Sequence, residues 1–324
     1  MSFLGAILSG PVSRSAETIS EHRLLRDGHS TKEKFEELLK KDAEKIINAQ
    51  EKGFAFVSAG QANWLDLLRP FSFFNGFRKR NSSGEDSVGP VTRWYSTNTF
   101  YRKPEIISKI TAKGNELSSF LPEIEDRKGV LFLPGPYSFS RLVQNSFYND
   151  NKELVLDYAQ AIALNLDSLK EKGYFAVIFS EPSFGFDFLK ESFDEKLLVK
   201  GFAGKIKEKN FTLGINFPLA DASKAIPLIE ETAFDFIGVD CFYSDFSGIK
   251  TKKDVFLGLV DGSRIGIESI ESVKKTIKDF KLNASFSGNF FIGPNDRLFD
   301  VPFEQGLEKI NILSKAAAGL SGEE

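Results

Sequence analysis

The chain has 324 residues, room for two average domains or for one α/β barrel of ~250 residues with insertions, so length alone does not choose. A 41% apolar fraction that includes 33 Phe supplies a large core, and 27% charged residues with a formal net charge of -3 describe an ordinary soluble surface, with neither a nucleic-acid footprint nor a membrane anchor. One cysteine, Cys241, excludes an internal disulfide and any site that needs two thiolates.

The apolar run Met1 to Leu8 lacks a basic leader and is too short to span a bilayer, so it reads as a first strand of a cytoplasmic protein. Gly10 to His29 is polar and is expected to lie across one face of the molecule. Thr31 to Lys52 carries Phe35, Leu38, Leu39, Ala43, Ile46 and Ile47 at helical spacing, with Ser30 or Thr31 to cap it and Gly53 to end it. Phe54 to Gly60 then reads as a buried strand. Arg78 to Gly89 is polar and glycine-bearing, the composition of a mobile loop.

Val91 to Glu105 holds Trp94, Tyr95 and Tyr101 beside Thr97 and Asn98. Aromatic faces with fixed donors and acceptors suit the wall of a small-molecule pocket, and equally a hairpin that buries its rings in a core; residue types leave both open.

Beyond it, strands are expected near Val130 to Gly135, Tyr174 to Phe179, Thr212 to Phe217, Phe234 to Cys241, Phe256 to Asp261 and Ala284 to Phe291, making eight with the first two. Helices are expected at Lys152 to Lys172, Phe188 to Lys209, Ala222 to Thr232, Ile270 to Phe280 and Glu304 to Ala318. This alternation predicts a single TIM (β/α)8 barrel over residues 1–324.

In such a barrel the functional groups gather where the strands end. That rule selects Ser180-Glu181-Pro182, Asn216-Phe217-Pro218, Asp240-Cys241, Asp261-Gly262 and Gly293-Pro294-Asn295-Asp296. Glu181, Asp240 and Asp261 are candidate ligand-binding residues, although each could instead satisfy loop amides. Glu181 and Asp240 as a glycosidase pair form a weaker alternative. His22 and His29 lie in a polar segment away from any strand end and read as solvated surface residues rather than metal ligands, and Cys241 has no histidine near it to act as its base.

Trp94, Thr97, Asn98, Tyr101, Pro104 and Glu105 fall on a W-F-x-T-N-Y-H-Y-x-x-P-E pattern, and the chain thereby resembles the cobalamin-independent methionine synthases. Gln50, Gly53, Gly60 and Asp66, the turn Leu133 to Phe139, Glu181-Pro182 and Gly258 to Arg264 resemble further elements of that family in the same order. The resemblance implies one of two related barrels: a catalytic one, whose zinc activates homocysteine as a thiolate, or an N-terminal one that helps form the folate site. Where the zinc ligands His-x-Cys, Glu and a late Cys would fall, this chain has Asn216, Asp240 and Asn295 or Asp296. It therefore resembles the N-terminal, non-zinc type: no cofactor bound by this chain, zinc in a separately encoded partner barrel, and folate as the methyl-donor substrate. Trp94, Thr97 and Asn98 are then expected near the pterin or its tail, and Arg14, Arg23 and Arg26 near an anionic glutamate tail. Two alternatives accompany that reading, a stand-alone zinc-independent methyltransferase with another methyl donor and a non-catalytic binding subunit.

Overall fold

The structure, a computed structural model, describes residues 2–50, 53–79, 89–95, 97, 99–184 and 195–322. Its centre is a seven-stranded parallel sheet in the order Phe3–Ala6, Phe290–Pro294, Asp254–Val260, Phe236–Asp240, Thr212–Asn216, Tyr174–Ser180, Gly129–Pro134. Every residue of Gly129–Pro134, Phe236–Asp240 and Phe290–Pro294 is buried, as expected of parallel strands covered on both faces.

The two edge strands do not face solvent, because residues 54–57 lie between them. Phe54 bridges Ala6 and Val57 bridges Gly129, both in parallel sense. The bonds Ala55 N–H to the Ala6 carbonyl at 2.9 Å and Val130 N–H to the Val57 carbonyl at 2.8 Å close the ring. This eighth segment is short, and side chains complete its ladder. Gln50, fully buried, accepts from Ser58 N–H at 2.8 Å and donates to the Ser58 carbonyl, while Gln61 makes the same pair of bonds to the backbone of Phe132. A primary amide presents one donor and one acceptor side by side, so each glutamine replaces a strand residue. Gly5 is required here: at φ +129° an added Cβ would lie 2.8 Å from Ala55 N.

Eight strand positions thus form the TIM-type α/β barrel that the alternation predicts. The helices Lys32–Ala49, Asn151–Glu171, Ile270–Asn283 and Phe303–Ser321 match their expected spans closely. Thr31 caps the first by accepting from Lys34 N–H. Glu195–Lys207 is the described part of the helix expected from Phe188, and residues 188–194 lie outside the described residues. Of the expected loop over Arg78 to Gly89, residues 80–88 also lie outside them.

Three expectations need correction. The last barrel strand is Phe290–Pro294, not Ala284 to Phe291: Ala284 caps the preceding helix, and Ser285–Phe286 pairs with Lys250–Thr251 in a separate ladder. The polar stretch Gly10 to His29 contains a helix, Ala16–Arg26, whose Ser15 cap accepts from Thr18 N–H. The helix expected at Ala222 to Thr232 is reduced to a 3-10 turn, Ala222–Lys224, and one turn, Ile226–Ile229, because Pro227 lacks the N–H that would continue the first into the second.

Candidate functional site

Since the strands are parallel, their carboxyl ends share one rim, and the candidate residues follow them there. Glu181, directly after Tyr174–Ser180, is fully buried. Its two carboxylate oxygens accept from Tyr137 N–H at 2.9 Å and Ser138 N–H at 2.7 Å, the unpaired amides of the first turn of the helix Pro136–Leu142. Only glycine fits at position 135, where an added Cβ would lie 2.4 Å from the Glu181 carboxyl carbon. Ser138 Oγ accepts in turn from Ser183 N–H, and Ser183 Oγ shares a short hydrogen bond with the Tyr95 hydroxyl. Burial raises the Tyr95 phenol well above its ordinary value, so it stays protonated and able to donate.

Asp240 ends the next-but-one strand and is also fully buried. One oxygen accepts from Leu219 N–H at 2.9 Å and Asn295 Nδ2 at 3.1 Å, the other from Phe242 N–H at 3.0 Å. Desolvation outweighs these bonds and lifts its pKa to about 7, with Asp296 adding repulsion. Asn295 also receives Gly262 N–H on its Oδ1, and its carbonyl accepts from Asn216 Nδ2 at 2.9 Å. Asp261, nearly buried, accepts from the N–H and hydroxyl of Ser263 and lies 3.3 Å from Arg264 Nε. The three strand-end acids are therefore brought to one rim, and all three hold loop groups with their carboxylates.

The aromatic segment forms a hairpin, Val91–Arg93 against Phe100–Arg102, so both sequence readings of it meet in one place. Trp94, 2% exposed, packs edge-on against Tyr95 and Tyr101 and also walls a small crevice with Trp64, Gln61 and Tyr101. Thr97 donates to the Trp94 carbonyl at 2.7 Å and accepts from Thr99 N–H and from Arg297 Nη2 at 3.2 Å. Asn98 lies outside the described residues. Because Trp94 is also a core side chain, removing it perturbs more than a ligand wall.

Arg297 went unselected by sequence reasoning, as charged side chains are seldom fully buried. It is 1% exposed, its guanidinium carbon stacks 4.6 Å from the Trp94 ring centre, and Nη2 lies 3.4 Å from Asp300. Its only sequence signal is its place directly after the strand-end pair Asn295-Asp296. Tyr95 adjoins Trp94 in the same motif, where the sequence marks it only as one ring of the aromatic segment. Of the expected tail-binding cations, Arg14 is half-buried beside Asp42 and Arg69, while Arg23 and Arg26 are exposed on Ala16–Arg26.

The zinc positions of the resemblance can be tested on these contacts. Asn295 links the three, its carbonyl accepting from Asn216 and its Nδ2 donating to Asp240; Asp240 and Asn295 also hold loop amides, and Asn216 and Asn295 present neutral amides. Cys241 is partly buried with its thiol directed at the Val239 carbonyl, and burial raises it far above the thiolate range. This donor set does not fit a sulfur-rich zinc site. Among the described residues no three His, Cys, Asp or Glu side chains cluster as metal ligands. His22 is less solvated than expected, its ring stacked 4.9 Å from Phe35. No helix among the described residues is long and apolar enough to cross a membrane.

Residues 74–285 match the family model described as cobalamin-independent synthase, N-terminal domain. A methionine synthase of Sulfolobus acidocaldarius is 23% identical over 301 residues, which cover 89% of this chain and 84% of that protein. The 5-methyltetrahydropteroyltriglutamate-homocysteine methyltransferase of Lactococcus lactis subsp. lactis is 27% identical over 62% of this chain, and the match spans only 27% of that relative. The fold is similar to that of a B12-independent methionine synthase from Shewanella sp. W3-18-1 solved with selenomethionine, with a TM-score of 0.74, 15% identity, and 99% and 98% of the two chains covered. With the closed parallel barrel, the strand-end acids and the matched span taken together, the chain belongs to the cobalamin-independent methionine synthase family.

Proposed function

We propose that this chain acts as an N-terminal-type subunit of a split cobalamin-independent methionine synthase, with residues 1–324 serving as one barrel. In this reading the chain contributes to the site for 5-methyltetrahydrofolate. A separately encoded barrel supplies zinc and binds homocysteine. The observation that carries the reading is the bonded trio Asn216, Asp240 and Asn295, which stands where the resemblance would put zinc ligands and offers no thiolate or imidazole to a metal. Methyl transfer to homocysteine needs its sulfur ionised near neutral pH, and the one thiol and two imidazoles of this chain lie elsewhere or are held neutral.

Trp94, Thr97 and Asn98 are the proposed folate contacts, with Glu181, Asp240 and Asp261 shaping the loops around them. Trp94 supports this as the wall of a rim crevice. Calorimetric titration with 5-methyltetrahydrofolate tests it. Trp94→Phe keeps an aromatic ring in the hairpin and is expected to weaken binding about tenfold through loss of the indole N–H. Binding unchanged by Trp94→Phe and Asn98→Ala would remove these residues from the site.

A second reading is a stand-alone methyltransferase using another methyl donor without zinc, and one observation favours its stand-alone part alone. The Sulfolobus relative carries the name methionine synthase at 84% coverage of its own length. Methyl transfer by the purified chain that resists a chelator would support it.

A further inference from the structure

The crevice beside Trp94 is walled mostly by apolar side chains, and its polar lining includes one carboxylate, Asp66. Gln61 engages the Phe132 backbone, Asp66 accepts from Leu68 and Arg69 N–H, the Thr99 hydroxyl donates to Asp300, and the Tyr101 hydroxyl donates to the Leu142 carbonyl. Four buried polar atoms on the remaining lining residues have no partner among the described residues: Arg297 Nε and Nη1, Trp64 Nε1 and Trp94 Nε1. All four are donors, and neither guanidinium nor indole can accept. Leaving such groups unpaired in the interior is unfavourable, so these donors favour an incoming acceptor.

We propose that this crevice is a carboxylate-binding site built around Arg297. Thr97 and Asp300 hold Nη2, and the guanidinium face lies over Trp94, so the charged group is fixed in place before any ligand arrives. The interior measures about 10 Å³, close to the space of one water, so it takes the tip of a carboxylate and not a whole ligand body. Asp300 is shared with Thr99 and sits at 3.4 Å from Nη2, which leaves Nε and Nη1, on separate edges of the guanidinium, without an acceptor. The same chemistry arises from a free small carboxylate or from the carboxylate end of a larger molecule whose body rests outside, against the half-exposed Phe100.

The chain has two tryptophans and both line the crevice, so its intrinsic fluorescence reports on this site. Titration of the full chain with formate, acetate and cyclohexanecarboxylate at constant ionic strength is expected to change the emission saturably and to raise the thermal midpoint. Saturation by formate and acetate identifies a free small anion; saturation by cyclohexanecarboxylate alone identifies the end of a larger ligand. Arg297→Met abolishes the saturable response. Should that variant fail to fold, Arg297→Lys, which keeps the charge but loses the planar donors, weakens apparent affinity about tenfold. A merely linear response to all three anions, or a saturable one that neither substitution alters, overturns the proposal. No folate enters this experiment, so its failure leaves the folate titration above standing, and the reverse holds as well.

Discussion

Two arcs of the same rim treat their buried charged side chains differently, although Ser180 Oγ and Asn216 Oδ1 on the first arc also lack a partner among the described residues. Along the arc from Glu181 to Asp261, each of three buried acids has both oxygens engaged by loop amides, hydroxyls or a side-chain cation. Along the arc where the barrel closes, Arg297, Trp64 and Trp94 keep four donors without partners among the described residues. A buried acid that accepts every nearby N–H is a scaffold for loops, whereas preorganised donors with nothing to donate to describe a receptor. Strand-end position, the rule that selects candidates from sequence, does not separate these two cases. Hydrogen-bond accounting does.

The comparison is broken most directly at Glu181. Glu181→Ala leaves two buried N–H groups and a cavity and is expected to cost about 3–5 kcal/mol in urea unfolding. A loss below about 1 kcal/mol would deny that this arc is held together by its acids. Trp94→Ala should cost a similar ~3–5 kcal/mol, because the ring belongs to the core as well as to the crevice. A thermal midpoint unmoved by that change would place Trp94 in the receptor alone.

Asp240 sharpens the comparison through pH. Its pKa of about 7 in the folded chain lies above the ordinary value of about 3.9, so between these the folded state holds a proton that the unfolded chain has released. Stability from this group is therefore full below about pH 4 and falls by up to about 1.4 kcal/mol per pH unit until about pH 7. Asp66, raised to about 6 by burial, acts in the same direction in the wild type and in an Asp240 variant, so it cancels in their difference. Urea titrations of wild type and Asp240→Asn across pH 4 to 7 should diverge in slope by that amount. Parallel curves would show that Asp240 ionises freely. Smallest of all, Thr97→Val removes the hydroxyl between Trp94 and Arg297 and should cost about 1 kcal/mol while weakening the acetate response.

Much of the barrel was legible because parallel strands buried on both faces carry unbroken apolar runs such as Val-Leu-Phe-Leu at 130–133 and Ala-Val-Ile-Phe at 176–179. The last strand was misplaced because Ala284 to Phe286 has strand-like residues too, and only tertiary pairing with Lys250–Thr251 assigns them elsewhere. Ala16–Arg26 escaped notice since its polar surface packs against Lys32–Ala49 with few apolar contacts of its own, leaving its Ser15 cap as the one local signal. At the rim, Glu181, Asp240 and Asp261 were found by position. Arg297 was not, because no periodicity places a guanidinium inside a protein. Its burial follows from Trp94, Thr97 and Asp300 converging from distant parts of the chain.

The central claim, that the zinc needed to ionise homocysteine belongs to another polypeptide, has one direct measurement. Methionine formation from homocysteine and 5-methyltetrahydrofolate is assayed with the purified chain, with a zinc-bearing homologous barrel, and with both, and metal content is determined in each. The account predicts turnover in the mixture well above that of either protein alone, with zinc confined to the partner. Full activity in the isolated chain, accompanied by one equivalent of zinc, would contradict it.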